Sequence, residues 1–378
     1  MSTQLARWAT VALLVPVAWY ATTEIMEARQ RSSVAQQHLE GARAAIAAGD
    51  YRRAEVAVGT ALQLLPADVE LQRESMRVAV ALAADDIQRA TGAQAGQLRY
   101  ALDVLDAPDD PLHLVARGHL ALGEGDAGGA LKLYQQAAAV AAGSSRPHLA
   151  AARLHAREGR LLQAVAEFEA AAKAEPTQLQ ALGPLSTLYL ELKRPADALA
   201  VAERALAVRD TAELRGRAAE CLLALDRAPE AIIHLQTATT AHPADAESWA
   251  QLGRAHFLAE QPNEAEGALL RAFELDPTPA YRMALGSFYQ ARTRFAEAVP
   301  VFAGLLKTDP AHVGALAGLA QSLEGLGQPA EAGRVWERFI TQAATDPALR
   351  EQVEQATARL SALRKQDAPP APPAPAAP

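Results

Sequence analysis

Cysteine and aromatic residues are scarce in this chain, and each scarcity excludes a class of structure. Cysteine occurs once, at Cys221, so the chain cannot form an internal disulfide framework. That count also excludes the usual lipoprotein anchor, which needs a cysteine directly after the apolar stretch of a signal sequence. Only 5% of the residues are aromatic, whereas Ala and Leu supply most of the 50% that are hydrophobic. This mixture favours helices and disfavours strands.

Clusters of positive charge and catalytic sequence motifs are missing as well. The net charge is −8 at pH 7 and no long basic run occurs, so we predict no nucleic-acid partner. The chain has no G-x-x-x-x-G-K-[ST], H-E-x-x-H or G-x-S-x-G motif. Residues 123–128 match G-x-G-x-x-G, but they follow a predicted helix, whereas a dinucleotide site follows a strand. The nine histidines are scattered, so we predict no catalytic residue, metal site or cofactor, and no enzyme.

The N-terminus carries a stretch of uncharged residues, 8–23. As a helix it spans about 24 Å, less than the roughly 30 Å hydrocarbon core of a bilayer. Trp8 at one end and Trp19 and Tyr20 at the other fit the interfacial belts of an uncleaved membrane anchor. A cleaved signal peptide is the alternative. A third interpretation, a buried first helix of the folded domain, is disfavoured because the stretch is apolar on every face.

Internal repeats fill most of the remaining chain. The best copy reads Leu285, Gly286, Tyr289, Ala298, Phe302 and Pro310, and the copy before it reads Trp249, Leu252, Gly253, Ala265, Ala272 and Pro277. This pattern resembles the W-x₂-L-G-x₂-Y…A-x₃-F…P signature of the tetratricopeptide-repeat (TPR) family. Aligned on it, repeats begin near Ala35, Val69, Pro111, Ser145, Leu179, Ala212, Ala246, Pro279 and Val313. The steps are 33 or 34 residues except the second, which is 42.

Small residues recur where the two helices of each repeat are predicted to cross. The second helix carries an early alanine in every repeat but the second: Ala54, Ala130, Ala164, Ala198, Ala231, Ala265, Ala298 and Ala332. The first helix of the same repeats carries a small counterpart: Ala42, Gly118, Ala152, Ser186, Ala219, Gly253, Gly286 and Ala320. Closely crossing helices need small residues at their contact, and a larger side chain there should cost about 1–3 kcal/mol.

The resemblance implies an all-α TPR solenoid, a right-handed superhelix of about nine helix-turn-helix repeats over residues 34–346. Within it the repeat at 69–110 is degenerate, because it lacks the alanine and the turn signals. Residues 1–33 are predicted to hold the membrane segment and a juxtamembrane linker. Residues 347–366 are predicted to form a C-terminal capping helix with one polar face, and the Pro/Ala tail 367–378 is expected to be disordered.

In the TPR family, side chains of the first helices line a concave groove that holds extended or helical peptides. The corresponding candidates in this chain are Arg43, His119, Arg153, Arg157, Thr187, Glu220, Arg254, Gln290 and Gln321. Arg153 and Arg157 are four residues apart on one helix face, where they either grip an acidic segment or form ordinary solvated surface. Family members that clamp a terminal carboxylate use lysines with asparagines on these helices. The single asparagine, Asn263, is predicted to lie in a turn, so that ligand is disfavoured.

The resemblance therefore implies a non-catalytic scaffold or assembly factor that binds a protein or peptide partner and is tethered to a membrane. The alternative is a structural component of a larger envelope complex that associates with itself, and the oligomeric state stays open. We expect a bacterial-type inner membrane with the repeats in the periplasm, because a short N-terminal tail with Arg7 resembles a signal anchor. Arg29 and Arg31 on the other side nearly balance that charge. There are therefore two alternatives. The repeats face the cytoplasm, or the protein is secreted to the periplasm after cleavage of the N-terminal segment.

Overall fold

The computed structural model describes residues 2–91 and 94–366, and it describes side chains over residues 22–91 and 94–364. Over this part of the chain it contains nineteen α-helices and no β-strand, which confirms the all-α prediction. The chain divides into two compact modules, an N-terminal module of residues 1–185 and a C-terminal module of residues 186–378. The Pro/Ala tail predicted at 367–378 lies outside the described residues.

Helices that are adjacent in sequence pack as hairpins within each module. The helices of the N-terminal module are α1 (Ser2–Ala47), α2 (Tyr51–Leu64), α3 (Val69–Asp85), α4 (Ala95–Leu105), α5 (Pro111–Gly123), α6 (Ala127–Val140), α7 (Arg146–Arg157) and α8 (Leu161–Ala174). The module boundary falls within α9 (Leu179–Glu191). The helices of the C-terminal module are α10 (Pro195–Val208), α11 (Ala212–Leu223), α12 (Ala228–Ala241), α13 (Ala246–Leu258), α14 (Pro262–Leu275), α15 (Pro279–Ala291), α16 (Phe295–Thr308), α17 (Val313–Gly325), α18 (Pro329–Ala343) and α19 (Arg350–Gln366).

The first helices of most repeats begin at the residue that the sequence pattern predicts. This holds for α3, α5, α9, α11, α13, α15 and α17, and α7 begins one residue after its predicted start. Local signals explain these starts. The Asp110 carboxylate accepts hydrogen bonds from the backbone N–H groups of Leu112 (2.7 Å) and His113 (3.2 Å), which no helical carbonyl can reach. Pro111 follows at a position where the missing N–H has no cost.

The turn inside each regular repeat is closed by one recurrent hydrogen bond. The backbone N–H just before the second helix donates to the carbonyl five residues earlier, at 2.8–2.9 Å in every case from Asp50→Ala45 to Gln328→Leu323. The residue before that donor has a positive φ, as the Schellman turn requires. These left-handed residues are Gly49, Gly125, Gly159, Lys193, Asp226, Glu260, Thr293 and Gly327. Four of them are not glycine, although this conformation favours glycine.

The degenerate second repeat is a helical hairpin with a different connection. Helix α3 is followed by a 3₁₀ helix, Ile87–Ala90, and then by α4. Arg89 on the 3₁₀ helix pairs with Glu55 of α2 at 2.8 Å, which holds the connection against the preceding repeat. Residues 92 and 93 lie outside the described part of the chain. The longer step of this repeat is therefore taken up by the longer helix α3 and by the connection between α3 and α4.

The core of the C-terminal module is centred on Phe302, which is only 1% exposed. Its ring occupies the space beside Gly286 of α15 and Gly318 of α17, where an added Cβ would come within 2.6 Å of the ring. The eight predicted crossing alanines are each 0% exposed in their own modules. Ala356 and Leu360 of α19 are buried against the same core.

The uncharged stretch 8–23 belongs to the backbone of α1, which continues unbroken into the first repeat. The side chains of residues 1–21 lie outside the described part of the chain, so the predicted anchor is not tested by side-chain burial. Among the described residues, no helix combines the length and the apolar character needed to cross a membrane.

Candidate functional site: a groove between two first helices

A groove of about 520 Å³ lies in the C-terminal module between α13 and α15, the first helices of two consecutive repeats. Its floor is made of small side chains, among them Ala250 of α13 and Ala284 of α15. Leu269 of the intervening helix α14 lines the groove as well. Because the two first helices carry alanine where they face each other, the space between them stays open. The groove therefore depends on small side chains at positions other than the crossing residues Gly253 and Gly286.

One side of the groove is an aromatic wall. The rings of Phe257 and Phe288 meet edge to face, with centroids 5.9 Å apart and planes at 77°. Phe288 is buried, but Phe257 remains 37% exposed. Covering exposed apolar surface is favourable by roughly 25 cal/mol per Å². An apolar side chain of a ligand is therefore stabilised against this wall.

The opposite end of the groove carries the carboxylate of Glu247, each of whose oxygens accepts one hydrogen bond. Gln251 donates from Nε2 to Oε1 of Glu247 at 2.8 Å, and Tyr281 donates from its hydroxyl to Oε2 at 3.1 Å. Burial, followed by this hydrogen bond to Glu247, raises the pKa of Tyr281 to about 12. The phenol therefore stays protonated at neutral pH and continues to donate.

Arg254 lies between the carboxylate and the aromatic wall on α13, and it lines the groove. It is exposed, and it makes no ion pair or hydrogen bond with any other residue of the described part of the chain. Arg294 in the next repeat is a contrast, because Glu266 and Glu297 neutralise it at 2.5 and 3.0 Å. Arg254 is therefore a groove cation whose charge is available to a ligand. It is also the one sequence-predicted groove residue that lines this groove.

Three groove candidates of the N-terminal module lie outside this groove. Arg43 pairs with Glu70 and Glu74 at the edge of a second cavity, of about 500 Å³. Arg153 and Arg157 are exposed on α7, and Arg153 donates to Oε1 of Gln180 at 3.2 Å. These three arginines stay candidates for binding, but they belong to a different module from Arg254.

Among the candidates of the C-terminal module, Glu220 and Gln321 are exposed on α11 and α17. Thr187 is exposed as well, and its hydroxyl accepts a hydrogen bond from Arg217 at 2.6 Å. Gln290 is used within the fold, since it donates to the carbonyl of Gly318 at 2.8 Å and to the Ser322 hydroxyl. Its amide connects α15 to α17, so it supports the packing of two first helices.

The prediction that His119 lines a groove is wrong. The side chain is buried, its Nδ1 lies 2.8 Å from the carbonyl oxygen of Ala83, and its ring meets the edge of Tyr134 with centroids 5.6 Å apart. Burial lowers the pKa of His119, which favours the neutral imidazole. The reason lies in the degenerate repeat, whose long helix α3 brings the Ala83 carbonyl against α5.

Phe257 and Tyr281 are among the groove residues that the sequence analysis did not predict. A signal for Phe257 was available, because it follows Arg254 by three residues and so shares its helix face. No such signal exists for Tyr281, because its partner Glu247 is 34 residues away, one full repeat along the chain.

Cys221 is a packed core thiol in this module. It is 0% exposed, and its sulfur lies 3.7 Å from the Ser186 hydroxyl. Burial raises the pKa of the thiol, so it stays protonated at neutral pH. The thiol is therefore a small core side chain and lies away from the groove.

Comparison with known proteins adds sequence evidence for the repeats. Models of the tetratricopeptide repeat match residues 184–246, 246–279 and 283–347. No protein with a curated description matches the chain significantly. Among similar solved structures is YrrB, described as a TPR protein with an unusual peptide-binding site, at 20% identity over 49% of this chain and 95% of that one, with a TM-score of 0.43.

Two further solved structures resemble the chain at a similar level. A tetratricopeptide repeat protein from Parabacteroides merdae is 15% identical over 77% of this chain and 99% of that one, with a TM-score of 0.42. PilF from Pseudomonas aeruginosa is 16% identical over 56% of this chain and 97% of that one, with a TM-score of 0.43. The matches to the family models thus assign tetratricopeptide repeats to residues 184–279 and 283–347.

Proposed function

We propose that this protein is a non-catalytic scaffold that holds a segment of a partner polypeptide in the groove between α13 and α15. Proteins built from tetratricopeptide repeats generally mediate protein–protein interaction. The observation that carries the proposal is the groove itself, which combines an open apolar wall at Phe257 with the unpaired cation Arg254. Exposed groups of both kinds on one concave surface are typical of sites that bind a peptide.

The dimensions of the groove fit a short segment of chain. Helix α13 has 13 residues and is about 20 Å long at 1.5 Å per residue. An extended chain advances about 3.3 Å per residue, so roughly six residues lie along this helix. Only one or two of their side chains need to enter the 520 Å³ between the helices. The rest of the partner is free to contact neighbouring first helices.

A photo-crosslinking experiment in cells tests this function. A photoreactive amino acid placed at Ser287, which is exposed and lines the groove, should capture one partner. The same amino acid at Ile233, exposed on the second helix α12, is the matched control and should not capture it. Filling the groove with Ala284→Trp should abolish the crosslink. Equal capture at the two positions would contradict the proposal. Crosslinks of the chain to itself would favour the alternative, a self-associating structural component.

We propose further that residues 8–23 tether the scaffold to a bacterial-type inner membrane, with the repeats in the periplasm. Support comes from the absence of charge in that stretch and from its continuity with the first repeat through α1. A reporter fused after Lys365 that is active only outside the cytoplasm tests the orientation. An inactive reporter would place the repeats on the cytoplasmic side. An active reporter on a protein that washes off membranes, with a new N-terminus, would indicate secretion after cleavage.

A further inference from the structure

We infer that the Pro/Ala tail 367–378 of the same chain occupies this groove and must leave it before a partner binds. Prolines of the tail pack on the aromatic wall at Phe257, and backbone carbonyls of the tail accept hydrogen bonds from the groove. This inference rests on the proposed function, because both require a groove that holds an extended polypeptide. It follows from the balance of charge in the groove, from the proline pattern of the tail and from the distance between the two.

The charges that line the groove favour an uncharged occupant. Glu247 and Arg254 are both exposed there, and among the described residues neither has an oppositely charged partner. A strongly charged segment of either sign is attracted by one of these side chains and repelled by the other. The tail reads DAPPAPPAPAAP and carries a single charged side chain, Asp367. Its remaining eleven residues meet no repulsion from either side of the groove.

The proline pattern of the tail fits an aromatic wall. A proline recurs at every third residue: Pro369, Pro372, Pro375 and Pro378. The polyproline II helix has three residues per turn, so these rings align along one face. Aromatic-lined grooves bind such segments because the conformation is preformed and little entropy is lost on binding. Phe257, which is 37% exposed on the groove, offers its ring to this face.

The polar groups of the groove match the backbone of the tail. Proline has no N–H, so a proline-rich segment presents carbonyl acceptors and few donors. Arg254 and Ser287 are exposed on the groove, and both side chains donate hydrogen bonds. The few N–H groups of the tail belong mostly to alanines, and the Glu247 carboxylate can accept them, since each of its oxygens accepts only one hydrogen bond within the fold.

The tail is long enough to reach the groove from the end of α19. Arg359 of α19 pairs with Glu324 of α17 at 3.2 Å, and Gln290 of α15 donates to the carbonyl of Gly318 of α17 at 2.8 Å. Helix α17 therefore lies between α19 and α15. Packed helices are about 8–10 Å apart, so two such spacings amount to about 20 Å. A twelve-residue polyproline II segment advances about 37 Å, which leaves roughly five residues for the groove itself.

The aromatic wall lies at the end of the module from which the tail departs. Helices adjacent in sequence form hairpins, so α13, α15, α17 and α19 run in the same direction. Phe257 is the penultimate residue of α13, and Gln366 is the last residue of α19. A short tether of this kind gives an effective concentration in roughly the millimolar range. Weak contacts therefore suffice to fill the groove until a partner of higher affinity displaces the tail.

Photo-crosslinking of the purified full-length protein tests the inference. A photoreactive amino acid at Ser287 should form an intramolecular crosslink to the tail, which trypsin releases as residues 366–378 by cleavage after Lys365. The crosslinked protein should keep the mass of one chain. In a mixture of isotope-labelled and unlabelled protein, both linked peptides should carry the same label. The same amino acid at Ile233, exposed on α12, should give no crosslink to the tail.

A pair of matched tail variants separates binding from proximity. The proline variant carries Pro369→Ser, Pro372→Ser and Pro375→Ser. The alanine control carries Ala368→Ser, Ala371→Ser and Ala374→Ser. Both variants keep the length and the charge of the tail, but only the first removes rings from the proline face. The proline variant should give about tenfold less crosslink at Ser287, because the apolar contact and the preformed conformation are both lost. The alanine control should crosslink like the wild type.

The outcomes separate this inference from the proposed function. If Ser287 gives no crosslink to the tail, or if the proline variant crosslinks as well as the wild type, the tail does not bind the groove. Capture of a partner at the same position in cells would then still support the proposed function. Linked peptides with different labels would show that the tail of a second copy fills the groove, and the intramolecular inference would be wrong. If this position captures neither the tail nor a partner, both proposals fail.

Removal of the tail tests its effect on partner binding. A chain that stops at Gln366 should capture the partner at position 287 in cells severalfold more efficiently than the full chain, because the groove is then open. The alanine control should capture the partner like the wild type. Unchanged capture by the shortened chain would overturn the competition between tail and partner.

Discussion

The two modules close their repeat turns with the same hydrogen bond but with different residues at the left-handed position. The described turns of the N-terminal module use Gly49, Gly125 and Gly159, whereas the C-terminal module uses glycine only at Gly327. Its other turns hold Lys193, Asp226, Glu260 and Thr293 at φ between +55° and +59°. A left-handed conformation costs a non-glycine residue about 1–2 kcal/mol. The packing of the two flanking helices therefore fixes the conformation of the turn, and glycine only lowers the conformational free energy that the turn requires.

The same two modules differ in how they fill the crossing of a helical pair. In the N-terminal module the large residue beside Gly118 is Tyr134, and in the C-terminal module the residue beside Gly286 is Phe302. Both are 1% exposed, but the Tyr134 hydroxyl has no hydrogen-bond partner among the described residues. An unpaired buried polar group is unfavourable. The crossing at Tyr134 thus carries an unfavourable term that the crossing at Phe302 does not have.

The largest effect is expected from emptying the Phe302 site. Phe302→Ala should lower the free energy of unfolding by about 3–5 kcal/mol, because Gly286 and Gly318 on either side have no side chains to fill the cavity. Urea unfolding followed by circular dichroism measures the loss. Hydrogen exchange should show lost protection in α15, α16 and α17.

A matched control for this prediction lies in the same module. Phe257→Ala removes the same side chain from the groove, where the ring is 37% exposed and packs on Phe288, so it should lower the free energy of unfolding by only about 1–2 kcal/mol. Comparable losses for the two variants would show that the crossing is not tightly packed. That result would mean that Phe302 in the core and Phe257 in the groove contribute equally to stability.

A smaller effect is expected from exchanging the turn residues between modules. Thr293→Gly should raise the free energy of unfolding by about 1 kcal/mol, and Gly159→Thr should lower it by about 1–2 kcal/mol, because a β-branched residue is disfavoured in the left-handed region. Thr341→Gly, inside helix α18, controls for the flexibility that glycine adds to the unfolded chain and should be slightly destabilising. Thermal unfolding of the three variants gives the comparison. A loss of stability in Thr293→Gly would refute the strain argument.

The helix register can be predicted from the sequence because it depends on local signals repeated every 33 or 34 residues. Pro279 begins α15 and Val313 begins α17 as the pattern requires. The turns of the C-terminal module are harder to predict, since Glu260 and Thr293 do not resemble turn residues. Their conformation is fixed by the packing of the helices they join. The match to the family models in this module nevertheless shows that the packing positions retain the repeat pattern.

The candidate site can be predicted only in part. Position in the repeat places Arg254 on a first helix, and the structure puts it on the groove. Arg254 is a candidate binding residue because no other described residue pairs with it. Sequence spacing does not show whether a side chain pairs with one in the neighbouring repeat. Tyr281 reaches Glu247 across one repeat, and Arg294 reaches Glu266 in the same way. His119 was misplaced for the related reason that the degenerate repeat changes what α5 packs against.

The smallest of the three effects concerns the Tyr134 hydroxyl. Tyr134→Phe should raise the free energy of unfolding by about 1 kcal/mol, because it removes a buried polar group that has no partner and leaves the ring in place against Gly118 and His119. Phe302→Tyr, the reverse change in the C-terminal module, should be destabilising by a similar amount. Chemical unfolding of both variants measures the difference between the two cores. If Tyr134→Phe is destabilising instead, the hydroxyl is hydrogen-bonded in solution, and the polar character of the N-terminal core is stabilising rather than costly.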